Sequence, residues 1–74
     1  MSAMFRPLGS LKQYIGGQNE MSIEPGCSVR EGLQRLGIPV EVVALVLVND
    51  APGNKDYVVQ NGDVIKLLAV IGGG

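Results

Sequence analysis

The run from Asn61 to Ile71 constrains this sequence more than any other. Asn61-Gly62-Asp63 predicts a tight reversal, because Asn-Gly readily supplies the positive φ such a turn needs. Eight residues come next, Val64 to Ile71, apolar except for Lys66; that is the length and composition of a largely buried strand. Gly72, Gly73 and Gly74 then run off the strand. A buried strand normally ends in a polar turn. This one ends in a bare thread, and its terminal carboxylate reads as the working group. The expected organisation is a folded part over residues 1–71 and a flexible glycine tail over 72–74.

Seventy-four residues allow one domain, and at that size the 46% apolar fraction has to be well used. Net charge is −1, with acids and bases scattered along the chain. No basic block points to nucleic acid, and the longest apolar run, Val42 to Val48, is far too short for a membrane span. Arg6-Pro7 and Gly9-Ser10 interrupt any cleavable signal pattern, so a cytoplasmic location is expected. One cysteine, Cys27, neither staples a fold nor binds a metal alone. With no histidine, His-dependent triads and His-ligated metals are excluded. A single cysteine also excludes an iron–sulfur ferredoxin.

In order, Ala3 to Leu8 predicts a short strand with Phe5 on one side and Arg6 and Leu8 on the other. Pro7 predicts an irregularity there. Ser10 to Ile15 predicts one helical turn, capped by Ser10 and closed by Gly16-Gly17. Asn19 to Glu24 alternates through Met21 and Ile23 as a second strand, forming a hairpin with the first. Ser28 and Glu31 make a capping box for a helix that runs to about Leu36, with Val29, Leu33 and Leu36 on one face. Gly37 ends it and Pro39 prevents its resumption. Gly32 inside it is unfavourable by about 1 kcal/mol against Ala, which a close helix–sheet contact would explain. Val42 to Asn49 predicts a third strand, Ala51-Pro52-Gly53 a turn with Pro and Gly central, and Lys55 to Val59 a short edge strand or helical turn. The fold class is α+β: one main helix packed across a mixed four- to five-stranded sheet.

That order, with a glycine thread after the last strand, resembles the ubiquitin-like β-grasp. More narrowly it resembles the bacterial sulfur carriers: the small subunit of molybdopterin synthase and the thiamine-pathway carrier, the MoaD/ThiS type. The residues that carry the likeness are Ser28-Val29-Arg30-Glu31, Val46-Leu47-Val48-Asn49, and Gly62-Asp63 with the apolar strand after it and Gly73-Gly74. Gly72 stands where the family often has Ala or another small residue, so Gly74 falls on the family's reactive terminus. The resemblance implies a carrier that is not itself an enzyme. A ubiquitin-activating-type adenylyltransferase, using ATP and Mg, adenylates the Gly74 carboxylate, and a sulfur donor converts the adenylate to a thiocarboxylate. The loaded tail then enters a sulfur-accepting biosynthetic enzyme, the molybdopterin synthase large subunit or thiazole synthase. The carrier itself would bind no cofactor and no metal.

The chemistry accounts for the residues. A carboxylate is a poor acyl donor until esterified to AMP; at neutral pH the α-carboxyl is ionised and ready to attack a phosphate. Positive charge and metal must come from the partner, because neither Gly16-Gly17 nor Gly72-Gly73 has the Lys and spacing of a phosphate loop. Glycines 72, 73 and 74 present no side chain to a narrow channel. If Ile65, Leu67, Ala69 and Ile71 face the helix, then Lys66, Leu68 and Val70 face outward. Leu8 joins them if its strand neighbours the last, as in the family, and Leu8, Leu68 and Val70 then form an exposed apolar partner-binding patch.

The remaining residues read more plainly. Cys27 is a small loop residue, Tyr14 and Tyr57 sit at the rim of the core, and Asp63 is explained by its turn. Lys12, Lys55 and Lys66 are solvated, with Lys66 also placed to touch an acidic partner. The longer segment from Phe5 to Gly17 resembles the molybdopterin type, whereas the ending Val70 to Gly74 is close to the thiamine type. A protein modifier that forms isopeptide bonds through Gly74, and an inert interaction module, stay open as other classes.

Overall fold

The computed structural model describes residues 2–69. Ala3–Pro7 (β1) and Met21–Ile23 (β2) pair antiparallel, with Phe5 opposite Met21 and Ala3 opposite Ile23. The alternation expected of β1 holds: Phe5 is fully buried while Arg6 and Leu8 are exposed. The strand stops at Pro7, whose ring is buried at its inner end. The loop between the strands carries a 3₁₀ helix, Gly9–Ile15, closed by Gly16 at φ 68°. Ser10 does not cap it. The cap position falls on Leu8 and has no side-chain hydrogen bond, so the turn is held by burial of Leu11 and Ile15 instead.

Val29–Leu36 (α1) forms as its end signals predict. Ser28 Oγ accepts from the Glu31 N–H at 3.1 Å, and Glu31 Oε1 accepts from the Ser28 N–H at 2.9 Å, which completes the capping box. Gly37, at φ 76°, turns the chain out of the helix. Val29 and Leu33 are fully buried against the sheet, and Leu36 lies at the rim of the core. Each fully buried side chain of this size contributes about 1.5–3 kcal/mol.

After a 3₁₀ turn over Val40–Val42, Val43–Val48 (β3) runs into Ala51–Gly53 (β4), and Val64–Ala69 (β5) completes the sheet. The five strands lie in the order β2-β1-β5-β3-β4. β5 is central, parallel to β1 and antiparallel to β3, so the sheet is mixed. Burial along β5 follows the predicted parity, with Ile65 and Leu67 fully buried and Lys66 and Leu68 half-buried on the opposite face. The chain is therefore an α+β fold with its one α-helix, among the described residues, packed across a five-stranded sheet.

Two expectations for the middle of the chain are overturned. Ala51-Pro52-Gly53 is not a turn but the edge strand β4. The reversal is made by Asn49 and Asp50, both left-handed at φ 51° and 70°, a two-residue hairpin connection. Pro52 is tolerated because an edge strand has one side that donates to no neighbour. The segment from Lys55 to Val59 forms neither strand nor helix. It makes a turn at Lys55-Asp56 and a single bridge between Val58 and Ser28. Gln60 to Asp63 is the reversal expected, with the Asp63 N–H donating to the Gln60 carbonyl at 3.1 Å and Gly62 at φ 84°.

Candidate partner-docking face

The face of the sheet remote from α1 carries the residues predicted to meet a partner. Leu8 continues β1 in extended geometry, and its N–H donates to the Leu67 carbonyl at 2.9 Å. Because Pro7 and Leu67 are register partners and both point inward, the next residues, Leu8 and Leu68, both point outward. On the other flank Leu45 is the register partner of Leu68. Leu8 is 37% exposed and Leu45 42%. Three strands thus bring Leu8, Leu68 and Leu45 side by side.

Leu45 carries no signal in the sequence that would single it out. It sits in an unbroken aliphatic run, and its exposure comes from a bulge between Val43 and Leu45. The extra residue lets Val43 and Val46 both turn inward and leaves Ala44 and Leu45 outside. Val70, the fourth residue expected on this face, lies outside the described residues. So do Gly72, Gly73 and Gly74 and the boundary between folded part and tail.

Lys66 lies on the predicted face but is not free. Its Nζ donates to Asp50 Oδ1 at 2.6 Å. The Lys66 hydrogen bond and then its charge hold the Asp50 carboxyl below its usual range. Arg6, the register partner of Lys66 on β1, pairs with Glu20 at 3.5 Å. The three leucines are therefore bordered by two ion pairs, both largely in solvent. Pairs of that kind contribute little to stability. Lys55 also departs from the expected solvated state: its Nζ donates to the Val40 carbonyl at 2.9 Å and ties the loop after β4 to the 3₁₀ turn before β3.

Asp63 is the best-bonded carboxylate of the described residues. Its Oδ2 accepts from the Tyr57 hydroxyl at 2.6 Å and the Gln60 N–H at 2.9 Å, and its Oδ1 accepts from the Asn49 amide at 2.9 Å. The Tyr57 hydrogen bond, with help from Gln60 and Asn49, lowers its pKa against the opposing effect of burial. Tyr57 is raised in return by the same contact. Asn49 closes the cluster by accepting the Val64 N–H at 2.9 Å on its side chain. A 7%-exposed carboxylate with these partners is held ionised and fixed, which makes it a structural joint between the end of β3 and the start of β5. This bears out the turn reading of Asp63 and extends it. Cys27 is buried, with its thiol directed at the Glu24 carbonyl at 3.5 Å. Among the described residues, no three His, Cys, Asp or Glu side chains are grouped to hold a metal, and no helix is long and apolar enough to cross a membrane.

Residues 8–74 match the sequence profile of the ThiS family. The chain belongs to the ThiS family. No curated protein is matched by its sequence. Among solved structures, this ThiS-family chain is similar to SAMP1 from Haloferax volcanii, with 17% identity, 100% of each chain covered and a TM-score of 0.71. A putative molybdopterin converting factor subunit 1 from Pyrococcus furiosus shares 17% identity over 96% of this chain and 99% of its own, with a TM-score of 0.70. Molybdopterin-converting factor of Helicobacter pylori, solved as a complex of subunits 1 and 2, shares 24% identity over 100% of both chains, with a TM-score of 0.60. At these identities what is shared is the fold, a ubiquitin-like β-grasp.

Proposed function

We propose that this ThiS-family chain is a sulfur carrier that works through its Gly74 carboxylate. The observation that carries the reading is the extent of the family match, which runs through residue 74 and takes in Gly72, Gly73 and Gly74. The carboxylate attacks the α-phosphorus of ATP on an activating enzyme and releases pyrophosphate. A sulfur nucleophile then displaces AMP, leaving a thiocarboxylate. The domain contributes no acid, base or metal to these steps. It contributes a docking face of Leu8, Leu68 and Leu45 beside the strand that leads to the tail.

Molybdopterin synthesis is the pathway favoured, supported by the longer first loop and by two structural relatives named as molybdopterin-converting-factor subunits. The partner of the Helicobacter pylori protein, its subunit 2, is then the kind of sulfur acceptor expected here. Thiazole synthesis is the second reading, and the ThiS profile itself favours it.

The test is intact-mass analysis after incubation with the activating enzyme, ATP, Mg and sulfide. Replacement of one oxygen by sulfur on the carrier supports the reading. A ladder of conjugates would make it a protein modifier, and an unchanged mass an inert module. Adding the loaded carrier to a molybdopterin synthase large subunit or to a thiazole synthase then separates the two pathways by which acceptor discharges it.

A further inference from the structure

Ala69, the last described residue of β5, borders an open hollow of about 370 Å³. Ser10, Gln13 and Tyr14 line it from the 3₁₀ helix, and Glu41 and Val42 from the turn before β3. Val43 is the register partner of Ala69, and Glu41, two residues earlier, lines the same hollow as this last described residue of β5. Glu41 is the one formally charged residue of the lining, and it is exposed. It takes no part in the three ion pairs formed among the described residues. Tyr14 is 37% exposed, its ring left open to solvent by the fold.

These features select one kind of occupant. A single carboxylate with no ion-pair partner among the described residues favours a cation. One acid is too few to ligate a metal ion, which takes several oxygen donors. The volume sits at the bottom of the range for small-ligand sites and suits one long side chain. An exposed tyrosine and a carboxylate lining the same hollow, with Ser and Gln as further acceptors, suit a planar guanidinium, which stacks and donates several hydrogen bonds at once. The chain's own terminal carboxylate is the wrong charge for this hollow.

We infer that the hollow receives an arginine side chain of the adenylating enzyme, whose guanidinium pairs with Glu41 and lies against Tyr14. The inference rests on the carrier reading and deepens it. The leucine face supplies apolar contact, and the Glu41 hollow fixes the strand end from which Gly74 must reach the nucleotide. Glu41 and Tyr14 are positioning residues in this scheme; neither touches the reacting atoms.

The experiment titrates wild-type, Glu41→Gln, Glu41→Lys and Tyr14→Ala carriers into the adenylating enzyme of the same cell with ATP and Mg. Pyrophosphate release is monitored at low and high salt. Loss of one charge-assisted contact predicts a KM for carrier raised about tenfold in Glu41→Gln and about a hundredfold in Glu41→Lys, with kcat unchanged. Tyr14→Ala raises KM by a few-fold. The Glu41→Gln carrier loses part of the wild-type salt dependence. Adenylation of the wild type together with a wild-type KM for Glu41→Lys overturns the inference alone, as does a fall in kcat at constant KM. A wild-type carrier that is never adenylated overturns the carrier reading and this inference together.

Discussion

The ring of Phe5 occupies the space that a β-carbon on Gly32 would need. A methyl group built there would stand 2.6 Å from Phe5 Cζ and 2.8 Å from Cε2, far inside van der Waals contact. Helix α1 carries a glycine in its second turn because the helix lies directly on the first strand of the sheet. Intrinsic propensity favours Ala at this position by about 1 kcal/mol, whereas overpacking a closed core is unfavourable by about 1–3 kcal/mol. Phe5 is fully buried, so its ring has no room to yield and the steric term wins. Gly32→Ala is expected to lower unfolding stability by about 1–2 kcal/mol in urea titration. In a Phe5→Leu background the same substitution should be neutral or stabilising. Additive effects of the two changes would show that the ring is not what excludes the methyl group.

The cluster around Asp63 predicts a pH dependence. Its folded pKa is depressed, with Tyr57 the leading cause, against about 3.9 in the unfolded chain. A depressed carboxyl stabilises the fold at every pH above the unfolded value, and that contribution is lost as pH falls through the folded one. Wild-type stability should therefore decline below about pH 5, and Asp63→Asn should flatten that decline. Glu31 and Asp50 are also depressed and keep part of the slope. Carbon NMR titration of the Asp63 carboxyl gives the sharper check: Tyr57→Phe should move its pKa upward, towards the unfolded value. An unmoved titration would show that Gln60 and Asn49 alone hold it.

How much of the fold is legible in the sequence depends on the range of the interactions. Ser28 with Glu31, Gly37, and Asn61-Gly62 each specify their structure within four residues, and each forms the structure it specifies. The outward face of β5 comes from a period of two, which needs only the strand's own residues. The hairpin after β3 is misplaced by sequence because Ala51-Pro52-Gly53 carries the stronger local turn residues, while Asn49-Asp50 reverses the chain only because both adopt positive φ. The bulge that exposes Leu45 inserts one residue against a strand more than twenty positions away, and an all-aliphatic run gives no sign of it. Asp63 is legible as a turn residue, but its bonds to Asn49 and Tyr57 are tertiary and have no signature in spacing.

The proposed docking face makes a prediction of its own. Leu68 stands between Leu8 and Leu45 in the sheet and is half-buried, so it is the centre of the patch. Central apolar anchors commonly carry about 2 kcal/mol or more of an interface. Leu68→Asp is expected to weaken binding to the activating enzyme by about 30-fold, measured by calorimetry, with Leu45→Asp and Leu8→Asp weaker in effect. Circular dichroism should be unchanged, since all three side chains point away from the core. Full-strength binding by Leu68→Asp would remove this face from the interaction.

The tail sets the last expectation, and it separates folding from function. Helix α1 and strands β1 and β3 bury Ile65 and Leu67, and the Asp63 cluster pins the start of β5. Stability is expected to be indifferent to the residues after Ile71, because three glycines have no side chain to bury. Activation should not be. A partner that reaches a terminal carboxylate through a narrow channel tolerates glycine because glycine has no side chain and allows close backbone approach. Gly73→Val adds a branched side chain one residue before the reacting carbon, and a tag after Gly74 removes the carboxylate altogether. Both variants should give the wild-type urea midpoint, and neither should gain sulfur under the intact-mass assay. Gly72→Ala is the control, because the family often carries a small residue at that place; it should fold and load as the wild type does. If Gly73→Val loads at the wild-type rate, the tail is not threaded through a channel and the glycines need another explanation. If Gly73→Val instead lowers the urea midpoint, those residues belong to the folded core and cannot be its free end.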